Sequence, residues 1–196
     1  MNKIPKLIGI HGPLNGGKDT VANYISAMDK TISGPPRWKR YAFANPVKRA
    51  CQIMFGFSDE QLEDRILKEA EDEFWGGGLT PRRMFQLLGT EFGRQMVRDD
   101  IWIRRAELEV KKNAAEGFKT IITDVRFQNE ADWVRSQPDS ILIYIIVPNL
   151  VRDEKYQHAS EAGITHEDSD FVILNDKTLG INNLYNKIDN IFQITI

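Results

Sequence analysis

The segment Gly9-Ile10-His11-Gly12-Pro13-Leu14-Asn15-Gly16-Gly17-Lys18-Asp19-Thr20 constrains this chain more than any other. It follows an apolar run at residues 7–10 and precedes a helical pattern, expected over 18–27, in which Val21, Tyr24 and Ile25 share one face. A buried strand must therefore pass into a helix through a loop of small residues. Residues 12–18 fit the spacing G-x-x-x-x-G-K of a phosphate loop. In such a loop successive backbone N–H groups face inward and cradle phosphate oxygens, while the next helix directs its positive dipole end at the same anion. Lys18 would then reach the outer phosphates of a nucleoside triphosphate. The pattern usually has a hydroxyl after the lysine to contact Mg²⁺; here Asp19 stands there and Thr20 follows. A carboxylate also suits this hard, oxygen-seeking cation. The plainer reading is a glycine-rich turn joining strand to helix. The order of strand, loop, lysine and helix favours the phosphate loop.

Strand and helix signals alternate along the rest of the chain. Short apolar runs predict strands at 40–44, 119–123, 141–147 and 171–174. Helices are expected from Asn45-Pro46, with Asn45 as the cap, and over 58–67 with Ser58 as the cap. Others are expected from Thr80-Pro81, over 100–112 with Asp100 as the cap, over 127–135 and over 179–192. This alternation argues an α/β fold, a mostly parallel sheet with helices on both faces. At 196 residues, 41% of them hydrophobic, the chain suits one domain with a real core. A net charge of −2 leaves no broad basic field for duplex nucleic acid. The lone Cys51 lies among apolar neighbours and reads as a small buried side chain. His11, His158 and His166 are not spaced as a zinc site. No apolar run approaches the roughly 18 residues of a membrane span, so a cytoplasmic protein is expected.

A second chemical site is expected where the strand at 119–123 ends, in Asp124-Val125-Arg126. Side chains two apart on extended chain emerge on the same side. A carboxylate and a guanidinium beside a phosphate loop are what phosphoryl transfer uses, the first for Mg²⁺ or the acceptor and the second for the moving charge. Taken alone, the pair reads as a surface ion pair. Arg82, Gln86, Gly89 and Gly93 form a third element, placed on one face by helical spacing. Arginine grips phosphate, glutamine reads a base edge, and glycines would let a flat ligand lie close. The competing reading is a solvated face whose glycines serve helix packing. Arg83 and Arg94 are weaker candidates on the same helix. The polar stretch 151–161, with Arg152 and His158, is a candidate lid. Asn175-Asp176 after the last strand is a candidate border for a nucleotide base, or simply a turn and a helix cap.

These residues, in order, resemble the phage-type deoxynucleoside monophosphate kinases, a branch of the P-loop nucleotide kinases. The resemblance is carried by Gly17-Lys18-Asp19-Thr20, Phe43-Ala44-Asn45-Pro46-Val47-Lys48 and Arg82-Arg83-Met84-Phe85-Gln86-Leu87-Leu88-Gly89-Thr90. Ile101-Trp102-Ile103, Asp124-Val125-Arg126, His158-Ala159-Ser160-Glu161-Ala162-Gly163 and Asp170-Phe171-Val172-Ile173-Leu174-Asn175-Asp176 complete it. It implies a three-layer P-loop kinase fold over 1–196, with a mostly helical monophosphate-binding region at 45–115 and a lid at 148–169. It implies ATP as phosphoryl donor, Mg²⁺ as cofactor and a deoxynucleoside 5′-monophosphate as acceptor. By the same resemblance Gly12, Asn15, Gly16, Gly17, Lys18, Asp19, Thr20, Asn175 and Asp176 bind ATP. Lys48, Arg82, Arg83, Gln86, Thr90 and Trp102 hold the acceptor; Lys18, Asp124, Arg126 and Arg152 act in transfer; Asp19 and Asp124 hold the metal. The expected partners are the monophosphate substrate, with neither nucleic acid nor membrane, and a homodimer is one open oligomeric state. The expected site of action is the cytoplasm, that of the host if a phage encodes the chain. Two other readings stay open: a P-loop kinase for another acceptor such as dephospho-coenzyme A, and a non-catalytic nucleotide-binding regulator.

Overall fold

The structure, a computed structural model, describes residues 5–33, 37–148, 164–166 and 169–192. The chain divides into two compact units, one comprising Met1–Ala42 with Ala106–Ile196 and the other Phe43–Arg105. The first unit is built on five parallel strands: β1 Leu7–His11, β2 Trp38–Tyr41, β3 Lys119–Ile122, β4 Ser140–Ile146 and β5 Phe171–Leu174. Their order across the sheet is β2-β3-β1-β4-β5. Central β1 is buried along its whole length, as a strand covered on both faces must be.

Side-chain alternation along β1 sorts the flanking helices. Ile8 and Ile10 join Ile121, Ile143, Ile145 and Ile173 against Val21 and Ile25 of α1 (Lys18–Ser33) and Leu184 and Ile188 of the C-terminal helix Gly180–Phe192. Each such fully buried isoleucine contributes about 1.5–3 kcal/mol. Tyr24 of α1 seals this layer by donating to Asp189 Oδ1 at 3.0 Å and stacking on Tyr185. The opposite face carries Gly9. A Cβ there would lie 3.0 Å from Val134 of the helix Gln128–Ser136, so glycine lets that helix approach the sheet. The connection after β1 returns at β2, beyond β3, whereas the connection after β3 returns at β4, on the other side of β1. The two connections diverge at the carboxyl ends of β1 and β3, where open α/β sheets bind ligands.

The second unit is helical. It contains α2 Ala44–Phe55, α3 Asp59–Glu63, α4 Arg65–Glu69 and α5 Pro81–Gln86, and the first turns of α6, Ile101–Ala115, which runs on into the first unit. The helices after β3 and β5 are then α7, Gln128–Ser136, and α8, Gly180–Phe192. Val47, Cys51, Phe57, Leu62 and Met84 form the second unit's core.

Several local expectations are corrected. α2 starts at Ala44 behind Phe43, which makes no side-chain cap bond, so Asn45 lies inside the first turn. Ser58 does cap a helix, through a reciprocal pair with Gln61 (3.2 and 3.0 Å), but that helix stops at Glu63. Asp64 interrupts it because its carboxylate caps a new helix, accepting from the N–H groups of Ile66 and Leu67 at 2.8 and 2.9 Å. The strand expected at 40–44 is Trp38–Tyr41. Asp100 stands directly before α6, its carbonyl accepting from Arg104 N–H at 3.0 Å, while its carboxylate accepts from the Arg98 and Arg104 side chains.

The largest departure follows α5. Thr80 and Pro81 start the helix as expected, with Arg83 N–H donating to Thr80 Oγ1 at 3.1 Å. From Leu87 to Val97 the backbone then widens into a π-helix, ending with Arg98 N–H donating to Gly93 O at 3.0 Å, five residues back. Wider turns displace the faces that 3.6-residue spacing implies. Met84 is buried, while Phe92, eight residues on, is 49% exposed.

Candidate active site

The loop after β1 is held from three sides. Gly16 N–H donates to Pro13 O at 2.9 Å, closing the turn. Asn15 and Gly17 take positive φ of 58° and 96°, which reverses the chain toward α1. Behind the loop, Asn175 at the end of β5 is buried, and its Nδ2 donates to Gly16 O at 2.9 Å. A Cβ on Gly17 would lie 2.7 Å from that same nitrogen, so only glycine fits at this position. Asn175, expected to border a base, thus serves as the fastener of the loop. Asp176 next to it caps the following turn, accepting from Thr178 N–H at 3.0 Å.

Lys18 donates from Nζ to Gly12 O and Pro13 O, both at 2.8 Å. Its ammonium lies over the loop it would share with phosphates. Asp19, largely exposed, is paired with Arg40 of β2, whose other nitrogen donates to Asn23 Oδ1 at 2.9 Å. So exposed a pair is worth only about 0–1 kcal/mol and exchanges readily for another charge.

Asp124 and Arg126 come to the same sheet edge as the loop. Val125 N–H donates to Ile10 O at 3.2 Å, continuing the pairing beyond β3. His11, the last residue of β1, is buried and its Nδ1–H donates to Val125 O at 2.7 Å. This bond ties the phosphate-loop strand directly to the peptide between Asp124 and Arg126, and it fixes a hydrogen on Nδ1. Tyr144 lies beside His11 with ring centroids 4.7 Å apart. From below, the buried Glu130 of α7 accepts from the N–H groups of Arg126 and Phe127 at 2.7 and 3.1 Å. Asp124 is buried and Arg126 half-buried. The sequence reading missed Arg40, His11 and Glu130 as parts of this site, since each acts on a partner remote in sequence or on backbone atoms. An acid placed to cap the helix after Phe127 was the one signal that could have pointed to Glu130.

Among the described residues no three His, Cys, Asp or Glu side chains gather into a metal cluster. The donors beside the loop are the carboxylates of Asp19 and Asp124 and the hydroxyl of Thr20. That set is too small for an all-protein cage. It does suit Mg²⁺, which keeps waters and takes phosphate oxygens along with one or two carboxylates.

The acceptor-side candidates belong to the helical unit. Lys48 donates to Glu63 Oε1 and Oε2 at 2.8 and 3.0 Å, Arg82 pairs with Glu69, and Arg83 donates to Glu91 at 2.9 Å. Gln86 is half-buried, and its side-chain amide has no hydrogen-bond partner among the described residues. Gly89 and Gly93 do not leave room for a flat ligand. A Cβ on Gly93 would sit 2.6 Å from the Trp102 ring, and one on Gly89 would touch Val47 at 3.5 Å. The indole N–H of Trp102 donates to Gly89 O at 2.7 Å, and Thr90 is buried. Trp102, Thr90 and the glycines are therefore packing elements. Arg94, a weaker candidate from the sequence, is buried and donates to Asp99 O at 2.8 Å. Arg152, His158 and most of the lid expected at 148–169 lie outside the described residues.

A family model described as deoxynucleotide monophosphate kinase matches residues 77–188. The deoxynucleoside-5′-monophosphate kinase of Escherichia phage T5 is 28% identical over a 250-residue alignment covering 97% of this chain and 97% of that protein. A protein of Acanthamoeba polyphaga mimivirus, provisionally named a deoxynucleotide monophosphate kinase, is 34% identical over 190 residues, 88% of this chain and 90% of its own. The crystal structure of TT1252 from Thermus thermophilus matches with a TM-score of 0.54 at 15% identity, over 99% of this chain and 100% of that one. That likeness shows a shared fold.

Proposed function

The chain belongs to the deoxynucleotide monophosphate kinase family, and we propose that it transfers the γ-phosphoryl group of ATP to the 5′-phosphate of deoxynucleoside monophosphates. The observation that carries this reading is the hydrogen bond from His11 to Val125 O, which couples the phosphate loop to the Asp124–Arg126 turn at one sheet edge. A donor site and a transfer site are thereby held as one piece.

In this reading Lys18 leaves the Gly12 and Pro13 carbonyls and turns to the β- and γ-phosphates of ATP. The N–H groups of the loop and the start of α1 take the remaining phosphate oxygens. Asp124, and Asp19 after exchanging Arg40, would hold the metal; bound with ATP, Mg²⁺ would neutralise charge on the β- and γ-phosphate oxygens. An oxygen of the acceptor monophosphate forms the new P–O bond as the bond to the bridging oxygen of ADP breaks. Arg126 spreads its guanidinium over the transferred group, where charge is greatest in flight. Lys48, Arg82, Arg83 and Gln86 hold the acceptor, and Arg152 acts from the lid. Thr90 and Trp102 support that surface from inside.

The test is ADP release from Mg-ATP against a panel of deoxynucleoside and ribonucleoside monophosphates, with dephospho-coenzyme A included. Turnover with one or more deoxynucleoside monophosphates, abolished by Lys18→Ala in a folded protein, is the expected result. Turnover with dephospho-coenzyme A alone, or unimpaired turnover in Lys18→Ala, overturns the reading.

A further inference from the structure

Asp19 puts a negative charge where a phosphate loop ordinarily carries a neutral hydroxyl. The Lys18 ammonium next to it donates to the Gly12 and Pro13 carbonyls, and a cation from outside the loop meets the Asp19 carboxylate. That cation is Arg40 of β2, and its guanidinium engages two residues of α1 at once. One terminal nitrogen meets Asp19 Oδ1, and the other donates to Asn23 Oδ1 at 2.9 Å. Asp19 and Asn23 are four residues apart on one helix, so they share a face that the planar fork of an arginine can span. β2 ends at Tyr41, whose carbonyl accepts from Thr123 N–H at 3.0 Å, one residue before Asp124. Arg40 therefore stands at the carboxyl edge of the sheet, on the strand fastened to the turn that carries the other candidate metal carboxylate. The Asp19 side chain is 78% exposed, so its carboxylate stays open to an incoming group although Arg40 touches it. A bare carboxylate beside the loop repels a triphosphate, whereas the same carboxylate attracts a metal that accompanies one.

We propose that Arg40 is a positioning residue for the metal-loaded donor. It covers the Asp19 carboxylate while the site is empty and yields it to Mg²⁺ when the nucleotide arrives with the metal. The neutral Asn23 amide keeps the guanidinium on α1 after the carboxylate has turned away. Arg40 thus acts on the metal through Asp19, and it sets how strongly the site distinguishes Mg-ATP from metal-free ATP. The inference deepens the proposed function and rests on its reading of Asp19 as a metal ligand.

The experiment measures equilibrium binding of ATP by calorimetry, once in EDTA and once in saturating Mg²⁺, and takes the ratio of the two Kd values. The proteins are wild type, Arg40→Gln, Arg40→Lys, Asp19→Asn and the Asp19→Asn/Arg40→Gln double variant. Arg40→Gln should raise the ratio about fivefold, the effect of ~1 kcal/mol between unit charges about 4 Å apart in water. Metal-free ATP binds more weakly because Asp19 is uncovered, while Mg-ATP binds as well as before or better. Arg40→Lys keeps a cation at the same place and should stay within about twofold of wild type. Asp19→Asn should lower the ratio, and adding Arg40→Gln to it should change the ratio by less than about twofold, because the group through which Arg40 acts is gone. An unchanged ratio in Arg40→Gln overturns the assignment. So does an equal rise with and without Asp19, which would mean that Arg40 meets the phosphates directly. A parallel loss of affinity in EDTA and in Mg²⁺ would overturn it too, since that is the mark of a residue that only docks α1 on β2. Failure of the kinase reading looks different: this binding cycle would hold, yet wild type would release no acceptor-dependent ADP.

Discussion

Replacing Asn175 separates two roles for the residue that closes the phosphate loop from behind. Its Nδ2 donates to Gly16 O at 2.9 Å, and both residues are buried. Asn175→Ala removes the donor and leaves a buried carbonyl without a partner. Leaving that buried carbonyl unpaired costs about 1–3 kcal/mol, and with both residues buried a value near 2–3 kcal/mol is expected. Asn175→Asp keeps the volume but sets a carboxylate against the carbonyl, so it should disturb the loop at least as much. The cost falls on the phosphate cradle. If half of it is expressed in loop geometry, triphosphate affinity drops by about tenfold, since each 1.4 kcal/mol is a factor of ten. The assay is equilibrium binding of ATP and of inorganic tripolyphosphate, with chemical unfolding alongside. A loop fastener predicts that both ligands weaken by the same factor. If Asn175 contacts the base instead, ATP weakens and tripolyphosphate does not. That result, or an Asn175→Asp protein that binds and unfolds like wild type, refutes the reasoning.

Gly93→Ala forces a methyl against the Trp102 ring and the Leu88 carbonyl, so it should destabilise the protein by about 1–3 kcal/mol in denaturant unfolding. A variant of native stability that has lost acceptor binding would instead return the glycines to a ligand face. Glu130→Ala orphans the N–H groups of Arg126 and Phe127; losing two charge-assisted bonds should cost about 3 kcal/mol or more and lower kcat more than it raises the KM for ATP. A kcat equal to wild type would show that Glu130 does not position the Asp124–Arg126 turn. Burial raises the Cys51 thiol to about 12, so its neutral form persists well above the usual thiol range. Stability linked to that thiol is complete below its unfolded pKa and is lost as pH rises toward about 12. Alkylation at pH 8.5 should accordingly follow global unfolding in denaturant, and rapid labelling of the native protein would refute the buried placement.

The elements that were legible in the sequence are those whose chemistry is carried by neighbouring residues. Apolar runs marked β1, β3 and β4 because strands covered on both faces carry few polar side chains, and they marked the edge strand β5 although Phe171, Val172 and Leu174 there are exposed. The spacing from Gly12 to Lys18 located the phosphate loop, and Asp124 and Arg126 were found from the strand end that precedes them. Caps at Ser58 and Thr80 were readable for the same reason, since a cap is a bond between residues three apart. The extent of a helix was harder to read. Asp64 ends one helix and starts another, and the turn from Leu87 to Val97 widens to a π-helix, so a face drawn with 3.6-residue spacing was displaced.

The partners that make the site were decided by tertiary structure alone. Asn175 reaches Gly16 across 159 residues, and His11 reaches Val125 across 114. Arg40 takes Asp19 because β2 and α1 pack in one unit, which no local pattern announces. In the helical unit, Lys48 is paired with Glu63 and Arg82 with Glu69, pairs that join residues 15 and 13 apart in sequence. Sequence by itself determined which chemistry this chain carries, because backbone turns, caps and periodicity depend on short-range sterics and hydrogen bonds. Tertiary structure decided which groups are fastened and which are paired, because those depend on chain crossings that bring distant residues within a hydrogen bond.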